Sequence, residues 1–257
     1  DTLLKELYIA AHNALHRGLH NPIARSERIE DNIKEAQKEL MRLGLSQPSI
    51  KRSWQHLSDD YFLRYSVDEI TWHTLAIAAS DEADLPLVLL RPQTHRGSAE
   101  IFVYTKNERG IFSTCTASLD QLGLTILDAR IITTSDQYVL NSFQVLEQSG
   151  EAISDLHQQI HISHSLRQNL LHKGVIKVNR NIYKQSRQAQ HFPITTKLTF
   201  LDSPNHRFTT LELITTDRAG LLSTIGQAFS ELNIQLHDAK ITTIGSRAED
   251  MFYISDQ

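Results

Sequence analysis

Near the end of the chain, Asp217-Arg218-Ala219-Gly220-Leu221-Leu222 brings together residue types that can hold a small charged molecule. The segment lies where a strand pattern gives way to a helix pattern. A helix start presents unpaired N–H groups and partial positive charge, which suits a small carboxylate. Asp217 can cap the helix by accepting from first-turn amides, and Gly220, lacking a Cβ, lets backbone or ligand approach closely. The same residues also describe an ordinary capped helix with Leu221 and Leu222 in the core. Binding is favoured because the loop occurs twice. Asn107-Glu108-Arg109-Gly110-Ile111-Phe112-Ser113-Thr114 aligns without a gap on Asp217 through Thr224. The candidate ligand residues are Asp217, Arg218, Ala219, Gly220, Leu221 and Leu222, with Asn107, Arg109, Gly110 and Ile111 in the first copy.

The elements around these loops repeat with them. At the same offset Asp128-Ala129-Arg130-Ile131 falls on Asp238-Ala239-Lys240-Ile241, and Leu122, Leu124 and Ile126 fall on Leu232, Ile234 and Leu236. A constant offset across strand, loop, helix and strand marks a duplication. Strands fit Val88–Leu90, Ala99–Thr105, Leu124–Thr134, Tyr138–Glu147 and Thr195–Leu201, with Ser135-Asp136-Gln137 as a hairpin turn and helices over 110–122 and 152–172. Residues 174–192 read as a basic connection. The unit is the ferredoxin-like βαββαβ arrangement, in which Thr195–Leu201 closes the first copy and the second stops before its last helix and strand.

Residues 1–80 are helical in pattern. Leu3, Leu4, Leu7, Tyr8, Ala11 and Leu15 form one apolar stripe before Asn21-Pro22 breaks it. A second helix starts near Ser26, buries Ile29, Ile33, Leu40 and Leu43, and ends at Gly44. Two more cover 49–57 and 68–79, separated by Tyr61-Phe62-Leu63-Arg64-Tyr65. The fold class is thus α+β: a helical segment over 1–84, a first module with its connection over 85–203, and an incomplete second module over 204–257. A start at Asp1 rather than Met, directly in a helical pattern, reads as a piece of something longer.

Bulk properties narrow the classes. The 257 residues are 40% hydrophobic and 22% charged, with net charge −4 and no basic stripe, which argues against nucleic acid. No apolar run approaches the roughly 20 residues that span a bilayer. One cysteine, Cys115, excludes an internal disulfide and fits the cytoplasm. It falls in an apolar helix and reads as core.

Asp-Arg-x-Gly-Leu-Leu followed by a strand resembles the signature of ACT domains, which bind amino acids at module interfaces. Tyr61–Ser66 with Asp68-Glu69-Ile70 and Trp72-His73-Thr74 resembles the bifunctional uridylyltransferase/uridylyl-removing enzymes of the PII signal protein. So do Glu100–Thr105, Thr210–Leu213, and Ala239–Gly245 with Glu249-Asp250 and Phe252. That resemblance implies a parent with a nucleotidyltransferase domain, a metal-dependent HD phosphohydrolase domain and two C-terminal ACT domains that sense glutamine and pair with each other. The parent would attach UMP to PII when glutamine is scarce and remove it when glutamine is plentiful. It would use Mg²⁺ and an HD-domain metal, with no cofactor in this segment. Asn107 departs from the acidic residue of the pattern, which weakens amine recognition in the first copy. Ala219 departs from the usual Pro, which gives up a fixed φ but no contact. The second loop is therefore the better site.

No catalytic constellation accompanies it. Gly97-Ser98 is not followed by the Asp-x-Asp pair that would hold Mg²⁺. His237-Asp238 lies in a strand, where neighbours face opposite ways. His12, His16 and His20 share a helix face without the intervening Glu of a zinc-binding helix. His157, His161, His164 and His172 lie on a polar helix. Both groups read as solvated faces.

Overall fold

The computed structural model describes residues 22–92, 94, 97–172, 194–202, 208–218 and 220–256. The expected first helix with His12, His16 and His20, the connection over 174–192, and Ala219 lie outside the described residues. The chain forms two compact units, one of residues up to Leu85 with Thr134–Asp136, the other of the rest.

In the first unit, α1 runs Pro22–Arg42. It begins earlier than Ser26 because Pro fits a helix's first turn, where an N–H would be unpaired anyway. Ile29, Ala36 and Leu40 are buried along one stripe. Leu43 was expected among them but is 49% exposed. It sits in the closing turn, where Gly44 at φ +93 bends the chain. There Leu45 N–H reaches Leu40 O and Gly44 N–H reaches Met41 O, at 3.0 and 3.1 Å. Helices α2 (Gln47–Trp54), α3 (Asp59–Arg64) and α4 (Val67–Ala79) follow. Ser66 and Glu69 cap α4 reciprocally. The aromatic stretch read as a separator is mostly helix α3, too short for a period to reveal it. It places Tyr61, Phe62 and Tyr65 in the core beside His73, with Tyr61 Oη 3.2 Å from His73 Nδ1.

Among the described residues the second unit is built on strands and three helices: β1 (Leu87–Arg91), β2 (Ala99–Lys106), α5 (Ile111–Gln121), β3 (Leu124–Thr133), β4 (Tyr138–Glu147) and α6 (Leu156–His172), then β5 (Lys197–Asp202), β6 (Thr209–Thr216), α7 (Leu221–Glu231), β7 (Ile234–Ile244) and β8 (Arg247–Asp256). The strands join one sheet in the order β1-β2-β4-β3-β7-β8-β6-β5. Alternate residues of the strands, including Ile101, Ala129, Ile131, Phe143, Ala239, Ile241 and Phe252, share one core with Phe112, Cys115, Leu119, Ile162, Leu166, Leu222 and Phe229 of the helices. This is the α+β, ferredoxin-like arrangement in two copies, helices on one sheet face.

One strand belongs elsewhere than the sequence suggested. Thr195–Leu201 was read as closing the first copy, yet β5 pairs with β6 of the second. The first copy's edge is already occupied, because β1 lies antiparallel along β2 from Leu87↔Tyr104 to Arg91↔Glu100. In both copies the edge strand therefore precedes the unit it completes. The second copy gains a four-stranded sheet without a strand after β8.

Between the modules, β3 and β7 pair antiparallel, Asp128↔Thr242 through Ile132↔Asp238. Arg130 faces Lys240, its own counterpart in the repeat, so a local two-fold passes between them. The bulges obey it too, falling between Ile126 and Asp128 in β3 and between Leu236 and Asp238 in β7. Helices α5 and α7 cross closely above. A Cβ built on Gly226 would meet Ser113 Cα at 2.8 Å. Gly→Ala within a helix ordinarily stabilises by about 1 kcal/mol. Here the contact is backbone, and overpacking costs about 1–3 kcal/mol. Gly226→Ala is therefore expected to lower the denaturation midpoint, and a raised midpoint would contradict this crossing.

Candidate functional site

The two loops superpose bond for bond. Asn107 N–H donates to Gln137 O and Asp217 N–H to Ser246 O, each at 2.8 Å. Gly110 and Gly220 stand just before their helices at φ +82 and +73, a left-handed turn suited to glycine. Behind each, Ser113 and Ser223 hydroxyls donate to the Gly110 and Gly220 carbonyls at 3.0 Å. Asp217 was expected to cap the helix by its side chain, and it does not. Gly220 holds the cap position with no side-chain hydrogen bond, and the turn is closed by Leu221 N–H on Arg218 O at 3.1 Å. The carboxylate of Asp217 accepts instead from the Arg218 backbone.

Each loop opens onto a cavity whose far wall comes from the other module. The second loop contributes Asp217, Arg218, Gly220, Leu221 and Leu222, and faces Thr116 and Asp120 of α5 and the start of β3. The first contributes Asn107, Arg109, Gly110 and Ile111, and faces Gly226 and Ser230 of α7 and the start of β7. Both sets of sequence candidates are thus brought together as two sites. Leu221 and Leu222 are largely core residues, each 8% exposed.

Side chains that the loop motif did not single out complete each cavity. Asp250 of β8 lines the cavity of the second loop and Asn141 of β4 that of the first. They are counterparts: Ala248 pairs Thr243 and Val139 pairs Thr133, and each polar residue lies two places further on. Asp120 and Ser230 correspond likewise near the ends of their helices, where Ser223 Oγ lies 3.4 Å from Asp120 Oδ2 and Ser113 Oγ 3.2 Å from Ser230 Oγ. The cavity by the second loop therefore holds Asp120, Asp217 and Asp250. Its two-fold mate holds Ser230, Asn107 and Asn141 at those places, with Glu108 where the other has Arg218, and the Arg109 guanidinium donates to Ser230 O. A signal for Asp250 was present in the sequence. It occupies an inward place in the alternation Ala248, Asp250, Phe252, Ile254, where an acid is out of character.

The electrostatics follow from burial. Asp250 is 1% exposed, and its carboxylate oxygens have no well-formed hydrogen bond, the Thr242 amide approaching without completing one. Burial pushes its carboxyl up to about 7; the Thr242 amide offsets part of this, and neighbouring Asp217 adds to the rise. Burial also raises Asp217, against the Arg218 backbone, and Asp120, against Ser223 and the Gly220 backbone. Asn141 Oδ1 is likewise without a partner. Among the described residues no group of three or more His, Cys, Asp or Glu is arranged to hold a metal ion.

The remaining candidates have structural roles. Ser98 is buried and donates to Gln144 Oε1 at 2.8 Å, beside Gly97 at φ +74. His237 Nε2 lies 2.8 Å from Ser255 Oγ. His157, His161, His164 and His172 are exposed along α6. Cys115 is fully buried, and burial pushes its thiol up to about 12, against a hydrogen bond with Asn141, as for a core residue.

Comparison with known proteins agrees in part with these observations. Residues 24–76 match the family described as the uridylyltransferase GlnD fifth domain. The whole chain is homologous to bifunctional uridylyltransferase/uridylyl-removing enzymes. It is 48% identical to that of Methylococcus capsulatus over 99% of the chain, and 40% identical to those of Vibrio cholerae and Vibrio parahaemolyticus over 99% and 100%. The chain spans about 29% of the length of each of these relatives. An aspartate kinase structure from Synechocystis aligns at a TM-score of 0.33 and 15% identity, over 63% of this chain and 24% of that one, too distant to bear on the site. No helix among the described residues is long and apolar enough to cross a membrane.

The buried acid gives a stability prediction. Well below 3.8 Asp250 is protonated in both states, and at about pH 4 it still costs little. As pH rises through 3.8 the unfolded chain ionises first, so stability falls until the folded carboxyl ionises near 7. Asp250→Asn should match the parent chain's midpoint at pH 4 and exceed it at pH 8, by no more than about 4 kcal/mol. Equal midpoints at both values would show that the carboxyl is not held unpaired.

Proposed function

We propose that the chain is the amino-acid-sensing regulatory region of a PII uridylyltransferase/uridylyl-removing enzyme, with glutamine as its ligand. The observation that carries this reading is the cavity at the Asp217–Leu222 loop, walled by both modules and carrying carboxyl groups beside a helix start. An α-amino acid carries the complementary pair of charges. Its carboxylate meets the first-turn N–H groups of α7, and its ammonium meets the acids. Because Asp120 comes from one module and Asp217 from the other, a bound ligand favours arrangements that keep the two together, which is what regulation by a ligand requires.

The parent would operate in the cytoplasm, moving UMP from UTP to PII and hydrolysing it off again. Its Mg²⁺ and HD-domain metal would be held by domains outside this chain. The fragment supplies control rather than chemistry, and with UTP, Mg²⁺ and PII alone it is expected to transfer nothing. Calorimetry with L-glutamine is expected to give saturable heat that Asp217→Ala weakens by about tenfold or more. No heat, or binding unaltered by Asp217→Ala, would overturn the assignment.

A second reading has its own observation. Leu198 and Phe200, on one face of edge strand β5, are 56% and 63% exposed. Such a strand suits a protein contact, so the modules would serve assembly and bind no metabolite. That reading expects Leu198→Glu with Phe200→Glu to reduce the sedimenting mass whether or not glutamine is present. An unchanged mass would dismiss it.

A further inference from the structure

The duplication provides an internal comparison: two cavities with the same backbone and different side chains. At each of three corresponding places the second-loop cavity has an acid where its mate has a neutral group: Asp217 for Asn107, Asp250 for Asn141 and Asp120 for Ser230. Asn141 shows that the fold accommodates an amide at the Asp250 place. An acid there is thus not required by packing. Unpaired, it costs stability, since a buried carboxylate without a partner is expensive. Both Asp250 oxygens lack a well-formed hydrogen bond, with only the Thr242 amide nearby, and the residue is 1% exposed. A partner from outside the chain would satisfy it.

We infer that Asp120, Asp217 and Asp250 form a binding site for the ammonium group of one ligand per chain, and that the mate at Asn107, Asn141 and Ser230 takes no cation. This rests on the sensing role proposed above and deepens it. The three carboxyls come from α5, the β6–α7 loop and β8, so both modules are needed to build the site. They do not form a metal-binding group, and an organic ammonium, with three N–H donors spread around one charge, needs less convergence than a metal ion. Among the described residues Arg218 is the one basic side chain lining this cavity. It sits beside Asp217 on the loop, placed for the other end of a zwitterion. The mate has an acid of its own, since Glu108 lines it at the place of Arg218, but Arg109 beside it reaches Ser230 O and sets a guanidinium against the same cavity.

The experiment is calorimetry on the 257-residue chain with L-glutamine and with its des-amino analogue, 4-carbamoylbutanoate. The inference expects a stoichiometry of about one for glutamine, since only one cavity satisfies the charge, and roughly 100-fold weaker binding of the analogue. Asp250→Asn should weaken glutamine by roughly 30-fold or more, and Asp120→Ser by roughly tenfold, while far-ultraviolet circular dichroism stays unchanged. Two equivalents of glutamine, an analogue that binds within about threefold of glutamine, or undiminished affinity in Asp250→Asn would overturn the inference while leaving glutamine sensing intact. Absence of glutamine binding to the unmodified chain would overturn the sensing role and this inference with it.

Discussion

Strand β3 lies antiparallel to β7 with Arg130 opposite Lys240, and the site depends on that register. Two like charges face each other at its centre, an arrangement that by itself is unfavourable. Arg130 is partly relieved by Asp128, 3.3 Å away. On the other face of the same ladder Ala129 lies against Ile241 and Ile131 against Ala239, small beside large, all buried. That packing and the backbone ladder fix the two-fold. A one-residue slip would turn each strand's buried set to the opposite face.

From this register the cavities follow. The two-fold brings the ends of α5 and α7 over each other's loops, with Gly226 against Ser113 setting the approach. Neither module alone encloses a ligand. The backbone of the two sites is the same down to the hydrogen bonds of their loops, so their difference resides in a handful of side chains. The acids in one of them oppose folding above their raised ionisation range. A trade of stability for binding is the usual mark of a functional position, and here the other copy, with Asn107, Asn141 and Ser230 at those places, shows what the same scaffold does without that demand.

Much of this was legible in the sequence, and the limits have physical reasons. The duplicated loops, the glycines before each helix and most strand boundaries follow from local periodicity and from backbone angles that favour glycine. Periodicity of two states which face a residue occupies but not which strand lies beside it. For that reason β5 was given to the wrong copy, and the β3–β7 seam was not foreseen. The helix over Tyr61–Arg64 spans too few turns to show a repeat. Asp217 was found because a loop motif draws attention to it. Asp120 and Asp250 lie at other points of the chain and join it only in the folded sheet. Asp250 could have been noticed as an acid in an apolar register, and Asn141 as its neutral counterpart.

The most direct test of the central claim is whether a ligand's ammonium displaces a proton from the acidic cavity. Among the described residues the titratable groups lining the cavity with Asp250 are Asp217 and Asp120, with Arg218 on the loop, and no His or Lys. With Asp250 at about 7 in the free chain, an ammonium that stabilises the carboxylate should drive off roughly half a proton per ligand at pH 7. Glutamine titrations at that pH, in buffers of different protonation enthalpy, measure this quantity. The account predicts net proton release that disappears in Asp250→Asn. Glutamine binding with the same heat in every buffer, or with the same release from the Asn variant, would contradict it.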